Sequence, residues 1–149
     1  MIAMVRCRCP FYRAYAAEDL FKVANGVPIL HVYLREAEPC DEFDAGGMHV
    51  MTPLKMKRPI YWHKTEADRA LAATDTKKFL QKFEGQDVRM WMDTMDDKLE
   101  VLYEARPWRW YVLEVSTGKI VEGISLAPFN MAGKIKVIKR ACATGTKAP

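Results

Sequence analysis

The sequence predicts an α+β fold, in which two helices pack on one face of an antiparallel sheet of about four to five strands. Three observations indicate this class. Residues 88–140 alternate β-forming side chains with short turns, as a C-terminal meander does. A helix start is encoded at Thr65, and a shorter helical repeat covers residues 14–25.

Length and composition agree with a single globular domain. The chain has 149 residues, of which 50% are hydrophobic and 28% are charged, and its formal net charge is +4. This balance excludes a disordered chain, and a chain of this length needs no metal ion or disulfide to complete its core. We predict one domain over residues 1–140 and a flexible or partner-bound tail over residues 141–149.

The N-terminal half is predicted to contain a helix, a strand and a long loop. Apolar residues recur at helical spacing over 14–25, which predicts a short helix. Residues 27–34 are rich in β-forming side chains and predict a strand. An acidic loop over 39–47 then precedes two short strands, which we place between residues 48 and 62.

The clearest local signal is the start of a helix at Thr65. Thr65 and Asp68 form a capping-box pattern, in which each side chain can bond to the backbone amide of the other residue. Apolar residues then recur at helical spacing, and Gly85 is placed to end the helix. The apolar stripe changes phase at residues 74–75, which predicts a kink or a second N-cap there.

The C-terminal third is predicted to be a meander of strands. Their ranges are 88–92, 99–104, 108–115, 119–126 and 134–140. Residues 116–119 have the composition of a hairpin turn, in which Gly118 takes a positive φ. Residues 127–133 are predicted to be a loop, and the last strand is strongly basic, with no acidic residue after Glu122.

Alternation along the strand at residues 108–115 divides its side chains between two faces. The side chains predicted to face the core are those of Trp108, Trp110 and Val112. The side chains predicted to point outwards are those of Arg109, Tyr111 and Leu113. The tryptophans are therefore predicted to stabilise the fold, and Arg109 and Tyr111 are candidates for contact with a partner.

The cysteines give no support for a disulfide framework or a zinc centre. Cys7 and Cys9 form one close pair, but the second pair that a structural zinc site needs is missing. We therefore expect free thiols, including Cys142, and neither a metal ion nor another cofactor. Metal binding by Cys7, Cys9 and Cys40 remains an open question at this point.

No residue pattern in the sequence indicates a catalytic centre. The chain contains no nucleophile-elbow, P-loop or dinucleotide-binding motif. One enzyme alternative stays open, a small hydrolase in which His31, His49 or His63 meets Cys40 or a carboxylate. His63 itself is expected to be an exposed residue just before the capped helix.

The uneven distribution of charge favours a protein that binds a partner. An acidic segment lies in the first third of the chain, and a basic segment lies at its end. We therefore expect a non-enzymatic protein-binding or accessory protein, either a subunit of a larger assembly or a small inhibitor or adaptor. The residues predicted to bind the partner are Arg109, Tyr111, Lys134, Lys136, Lys139 and Arg140.

A nucleic-acid partner is the alternative to a protein partner. Arg106, Trp108, Arg109 and Trp110 interleave cations with aromatic rings, a pattern that can stack unpaired bases of RNA or single-stranded DNA. A ribosome-associated protein is included in this alternative. The oligomeric state is not predicted by the sequence.

The expected location is an intracellular, reducing compartment, because the cysteines show no disulfide pattern. Targeting to an organelle is an alternative, since residues 1–17 contain three arginines and no acidic residue. We expect no membrane span, because no apolar run reaches the roughly 20 residues that would cross a bilayer.

Overall fold

The part of the chain that the structure describes is organised around a mixed sheet of five strands. The computed structural model describes residues 1–5, 27–36, 62–84, 87–105, 109–125 and 131–144. The elements in these ranges are β1 Ile2–Val5, β2 Leu30–Tyr33, α1 Glu66–Glu84, β3 Arg89–Met92, α2 Lys98–Leu102, β4 Arg109–Leu113, β5 Ile120–Ser125 and α3 Met131–Thr144. The fold class is α+β, as predicted.

The sheet is not purely antiparallel, and its strands are not confined to the C-terminal third. The strand order is β3-β2-β1-β4-β5. β1, β2 and β3 run parallel to one another, whereas β4 pairs antiparallel with β1 and β5 pairs antiparallel with β4. The long helix α1 carries the chain back between β2 and β3, and such a crossover produces parallel pairing.

Several elements lie where the sequence predicts them. These are β2, β3, β4, β5 and the long helix α1. The hairpin turn between β4 and β5 is also confirmed, because Gly118 has a φ of 68°. An L-residue with a side chain rarely adopts this conformation, which explains the glycine.

Two predicted strands are helices. Residues 98–102 form α2, because the carboxylate of Asp93 accepts the amides of Leu99 and Glu100 at 2.9 Å each. Residues 131–144 form α3, which replaces the basic strand predicted at 134–140 and includes part of the predicted loop and tail. Ile135, Ile138 and Cys142 then fall on one helical face and are packed into the core.

Hydrophobic residues cover both faces of the sheet. On one face, α1 and α3 pack against buried residues of the strands, among them Ala3, Tyr33, Trp110 and Val112. On the other face lies a smaller cluster of Met4, Val32, Leu34, Ala105 and Tyr111. Leu99 and Tyr103, at α2 and its C-terminal end, pack against this smaller cluster.

The capping box at the start of α1 is confirmed. The amide of Asp68 donates to Thr65 Oγ1 at 3.2 Å, and the amide of Thr65 donates to Asp68 Oδ2 at 2.9 Å. The helix continues through residues 74–75 without a second N-cap. The Thr74 hydroxyl donates instead to the carbonyl of Ala70 at 2.8 Å, within the same helix.

Thr65→Ala is expected to lower the free energy of unfolding by about 1 kcal/mol, because α1 loses its N-cap acceptor. The pKa of Asp68 is lowered by its hydrogen bonds to Thr65, and the variant should raise that pKa towards its ordinary value. Urea denaturation and an NMR titration of Asp68 measure the two effects. Thr65→Ser, which keeps the hydroxyl, is the control and should change neither.

Some predictions lie outside the described residues. They are the helix at 14–25, the loop at 39–47, most of the strand pair at 48–62, and the placements of Trp108, Cys7, Cys9, Cys40 and His49. Within the described ranges, no helix combines the length and apolarity required to cross a membrane.

Candidate functional site

The predicted partner-binding residues do not form one surface. Lys136, Lys139 and Arg140 are exposed on α3, and Lys134 belongs to the same helix. Arg109 lies on β4, where its guanidinium is 3.7 Å from the carboxylate of Glu104. Residues 134–140 were predicted to form a basic strand, but they belong to the helix α3. Their side chains therefore lie on a different element from that of Arg109.

Tyr111 does not point outwards, and that prediction is wrong. Its exposed fraction is 6%, and it belongs to the hydrophobic cluster that also contains Met4 and Val32. Its hydroxyl donates to the carbonyl of Tyr103, and the two rings lie 5.3 Å apart. The prediction failed because alternation alone does not show that the second face of the sheet is also covered.

α3 has one buried face and one basic face. Ile138 and Cys142 are buried against the sheet. Lys136, Lys139 and Arg140 lie three and four residues apart, so their exposed side chains share one side of the helix. We call these three residues the basic helix face. The helix contains no acidic residue that could neutralise it.

An open groove separates α3 from β5 beside the basic helix face. Its lining residues are Val121, Glu122, Val137, Arg140 and Ala141. Val121 and Val137 are 53% and 41% exposed, so each presents apolar surface to solvent. The groove therefore combines apolar walls with one cationic side chain, Arg140, and one acidic side chain, Glu122. The sequence did not predict Val121 or Val137, because they come together only when α3 is a helix.

A second cluster of polar residues lies where the parallel strands β2 and β3 end. Asp97 bonds to two arginines: Arg35 at 3.1 Å and Arg69 at 3.0 Å. Arg69 is buried and also donates to the backbone carbonyls of Asp93 and Thr94, and Arg35 contacts Glu100 at 3.3 Å. We call Arg35, Arg69, Asp97 and Glu100 the arginine–carboxylate cluster.

The arginine–carboxylate cluster joins four parts of the fold. Arg69 belongs to α1, Arg35 follows β2, Asp97 follows β3, and Glu100 belongs to α2. Its cations and carboxylates are paired with one another at short range, which is the arrangement expected of a buried ionic network that fixes packing. We therefore interpret the cluster as structural.

His63 is buried, although the sequence predicted an exposed residue. Its ring lies 5.8 Å from the ring of Tyr33, and neither ring nitrogen has a hydrogen-bond partner among the described residues. The pKa of His63 is lowered, first because burial disfavours the charged imidazolium and second because Arg69 is close. His63 is therefore expected to remain neutral at neutral pH.

Stability is expected to decrease as the pH falls below the unfolded pKa of histidine, because the unfolded chain then binds a proton that the folded chain excludes. Wild-type protein should lose more free energy of unfolding between about pH 7.5 and about pH 5.5 than His63→Phe, which has no proton to bind. Urea denaturation at both pH values measures this difference. Equal losses in the two proteins would contradict the burial of a neutral imidazole.

His31 and His63 are the two histidines among the described residues. Within them, no three side chains of His, Cys, Asp or Glu come together as metal ligands. His31 is buried in β2, and no hydrogen bond joins His63 to a carboxylate in the described part of the chain. Comparison with protein-family models finds no match, and comparison with curated protein sequences finds no significant similarity.

Proposed function

We propose that this chain is a non-enzymatic protein-binding or accessory protein, acting as a subunit of a larger assembly or as a small inhibitor or adaptor. Its partner surface consists of the basic helix face and the adjacent groove between α3 and β5. The observation that supports this proposal is the position of Arg140, which belongs to the basic helix face and lines the groove together with the exposed Val121 and Val137. An acidic segment with apolar side chains would complement both features.

A protein partner fits this surface better than a nucleic acid does. Phosphate groups would be attracted by the three cations, but they would gain nothing from the apolar walls of the groove. Trp110 is fully buried, so it cannot stack on an unpaired base. The exposed valines therefore favour a protein segment that places aliphatic or aromatic side chains in the groove.

Reversing the charges of the basic helix face is expected to abolish binding of the partner. The variant Lys136→Glu, Lys139→Glu and Arg140→Glu changes exposed side chains only, so its melting temperature should remain close to that of wild type. Affinity purification from the source cell, followed by mass spectrometry, compares the proteins captured by each form. Nuclease treatment of parallel samples removes captures that depend on nucleic acid.

A matched control reverses the charges of three exposed lysines elsewhere, one just before α1 and two within it. Its substitutions are Lys64→Glu, Lys78→Glu and Lys82→Glu. It changes the net charge by the same amount but should keep the partner. Loss of the same proteins from both variants would show that net charge alone determines capture. Capture that disappears with nuclease would favour the nucleic-acid alternative and contradict the proposal.

A further inference from the structure

His63 is a buried side chain whose polar atoms have no partner in the described part of the chain. Its exposed fraction is 6%, and neither of its buried ring nitrogens makes a hydrogen bond there. A neutral imidazole carries one N–H group, so this donor is left unsatisfied, and a buried donor without a partner lowers stability. Packing against the ring of Tyr33, rather than hydrogen bonding, therefore holds this side chain.

The groups that face His63 belong to three parts of the fold. On β2, the ring of Tyr33 lies 5.8 Å away, and its hydroxyl donates to the carboxylate of Glu36. The first turns of α1 and the loop after β3 supply the charged groups that act on the imidazole, which are Asp68, Arg69 and Asp97. Arg69 opposes a positive charge on the ring, whereas the two aspartates favour it.

The two aspartates differ in how they can receive a protonated ring. Asp97 is bonded to two arginines within the arginine–carboxylate cluster. Asp68 lies five residues after His63, its side chain is exposed, and its carboxylate accepts from the amide and the hydroxyl of Thr65. A positive charge on His63 is therefore opposed by Arg69 in the interior and attracted by a hydrated carboxylate at the surface.

We propose that His63 and the first turn of α1 form a pH-sensitive switch, in which protonation moves the imidazole from Tyr33 to the exposed carboxylate of Asp68. In the closed form the ring is neutral and buried. In the open form the ring is charged and hydrated, and residues 63–68 have separated from the end of β2. Histidine suits this role because its ordinary pKa of about 6.5 lies close to neutral pH.

The movement stays local, because α1 is anchored immediately after the segment that opens. Arg69 is buried and is bonded to Asp97 and to two backbone carbonyls after β3. Residues 64–68, in contrast, are exposed. Segments with few buried contacts open at a lower free energy than the whole chain. Protonation therefore opens residues 63–68 while the remainder of α1 stays folded.

The closed form is expected at neutral pH and is lost in mild acid. In the closed form the pKa of His63 is lowered, first by burial and second by Arg69. In the open form burial no longer lowers this pKa, and the carboxylate of Asp68 favours the charged ring. The open form therefore binds the proton more tightly. Below about pH 6.5, the ratio of closed to open molecules should fall by up to about tenfold per pH unit, until the pKa of the closed form is reached.

NMR spectroscopy of the full chain between about pH 7.5 and about pH 5 tests the switch. The ring protons of His63 should titrate, and the nuclear Overhauser effects between His63 and Tyr33 should disappear with the same midpoint. The amides of Asp68 and Arg69 bond to Thr65, so their protection from hydrogen exchange should fall over the same range. The amides of residues 76–80, in the middle of α1, should keep their protection.

Two variants separate the proton from the packing. His63→Phe keeps an aromatic ring against Tyr33 but binds no proton, so it should remain closed throughout this range. Asp68→Asn keeps an acceptor for Thr65 but removes the charge that attracts the imidazolium, so the midpoint should move to lower pH.

Four results would overturn the proposal. The first is a contact between His63 and Tyr33 that survives below the midpoint, because the ring is then protonated in place. The second is an equal loss of protection at residues 76–80, which indicates unfolding of the whole helix. The third is a His63→Phe variant that opens in the same range. The fourth is a midpoint that Asp68→Asn leaves unchanged, and this exposed position keeps the test decisive if His63→Phe fails to fold.

Discussion

Replacing Trp110 with alanine is expected to lower the free energy of unfolding by about 3–5 kcal/mol. Trp110 is fully buried in β4, which pairs with β1 on one side and with β5 on the other. Its side chain belongs to the hydrophobic cluster between the sheet and the helices α1 and α3. Truncation would leave a cavity that the tightly packed residues around it cannot fill. Urea denaturation measures the resulting decrease in the free energy of unfolding.

Trp91→Ala is the matched control for this experiment. It removes the same side chain from a position that is 65% exposed, so the free energy of unfolding should change by less than about 0.5 kcal/mol. Both variants should be compared with wild type under identical solution conditions. Similar losses in the two variants would contradict the assignment of Trp110 to the core.

The burial of Trp110 was predicted correctly from the sequence, whereas Tyr111 was wrongly predicted to be exposed, and both results have the same physical reason. Alternation along a strand assigns neighbouring residues to opposite faces, and it therefore separated Trp110 and Val112 from Tyr111. It does not show whether the second face is exposed. That face is covered where α2 follows β3. The start of α2 depends on hydrogen bonds that the amides of Leu99 and Glu100 donate to the carboxylate of Asp93, and local β-propensity does not reveal them.

The strand directions could not be predicted from local patterns either. The signals for β2 and β3 were correct, but they do not specify which strands are neighbours. Parallel pairing of β1, β2 and β3 depends on residues far apart in the chain. The predicted meander was correct only for the hairpin of β4 and β5, where a short turn brings neighbouring strands together.

The basic residues of the candidate site were predicted, but their geometry was not. Residues 134–140 alternate cations and aliphatic side chains closely enough to fit a strand. In a helix, Ile135, Ile138 and Cys142 lie on one side. Because that side is packed against the core, the helix α3 is more stable than the predicted strand. With α3 as a helix, Val137 joins Val121 beside Arg140, and the groove becomes part of the proposed partner surface.

Asp97→Asn is expected to lower the free energy of unfolding by about 3 kcal/mol, because it leaves two arginines without their shared carboxylate. Arg69 is almost completely buried, and the side chain of Asp97 is only 15% exposed. Asp97 has a φ of 55°, a conformation that asparagine also tolerates, so this substitution changes the charge without adding backbone strain. Urea denaturation at neutral pH measures the loss.

Asp96→Asn is the neighbouring control. Asp96 pairs with Lys98 at 3.2 Å, but both side chains are exposed, and such a pair should make no measurable contribution to stability.

A double-mutant cycle then tests whether Arg69 and Asp97 act together. Arg69→Met removes the buried cation that Asp97→Asn leaves uncompensated, so the double variant should lose less stability than the sum of the two single variants. Additive losses would show that Arg69 is stabilised by the carbonyls of Asp93 and Thr94 alone. In that case the arginine–carboxylate cluster would not couple α1 to the end of β3, and the structural interpretation of this cluster would be wrong.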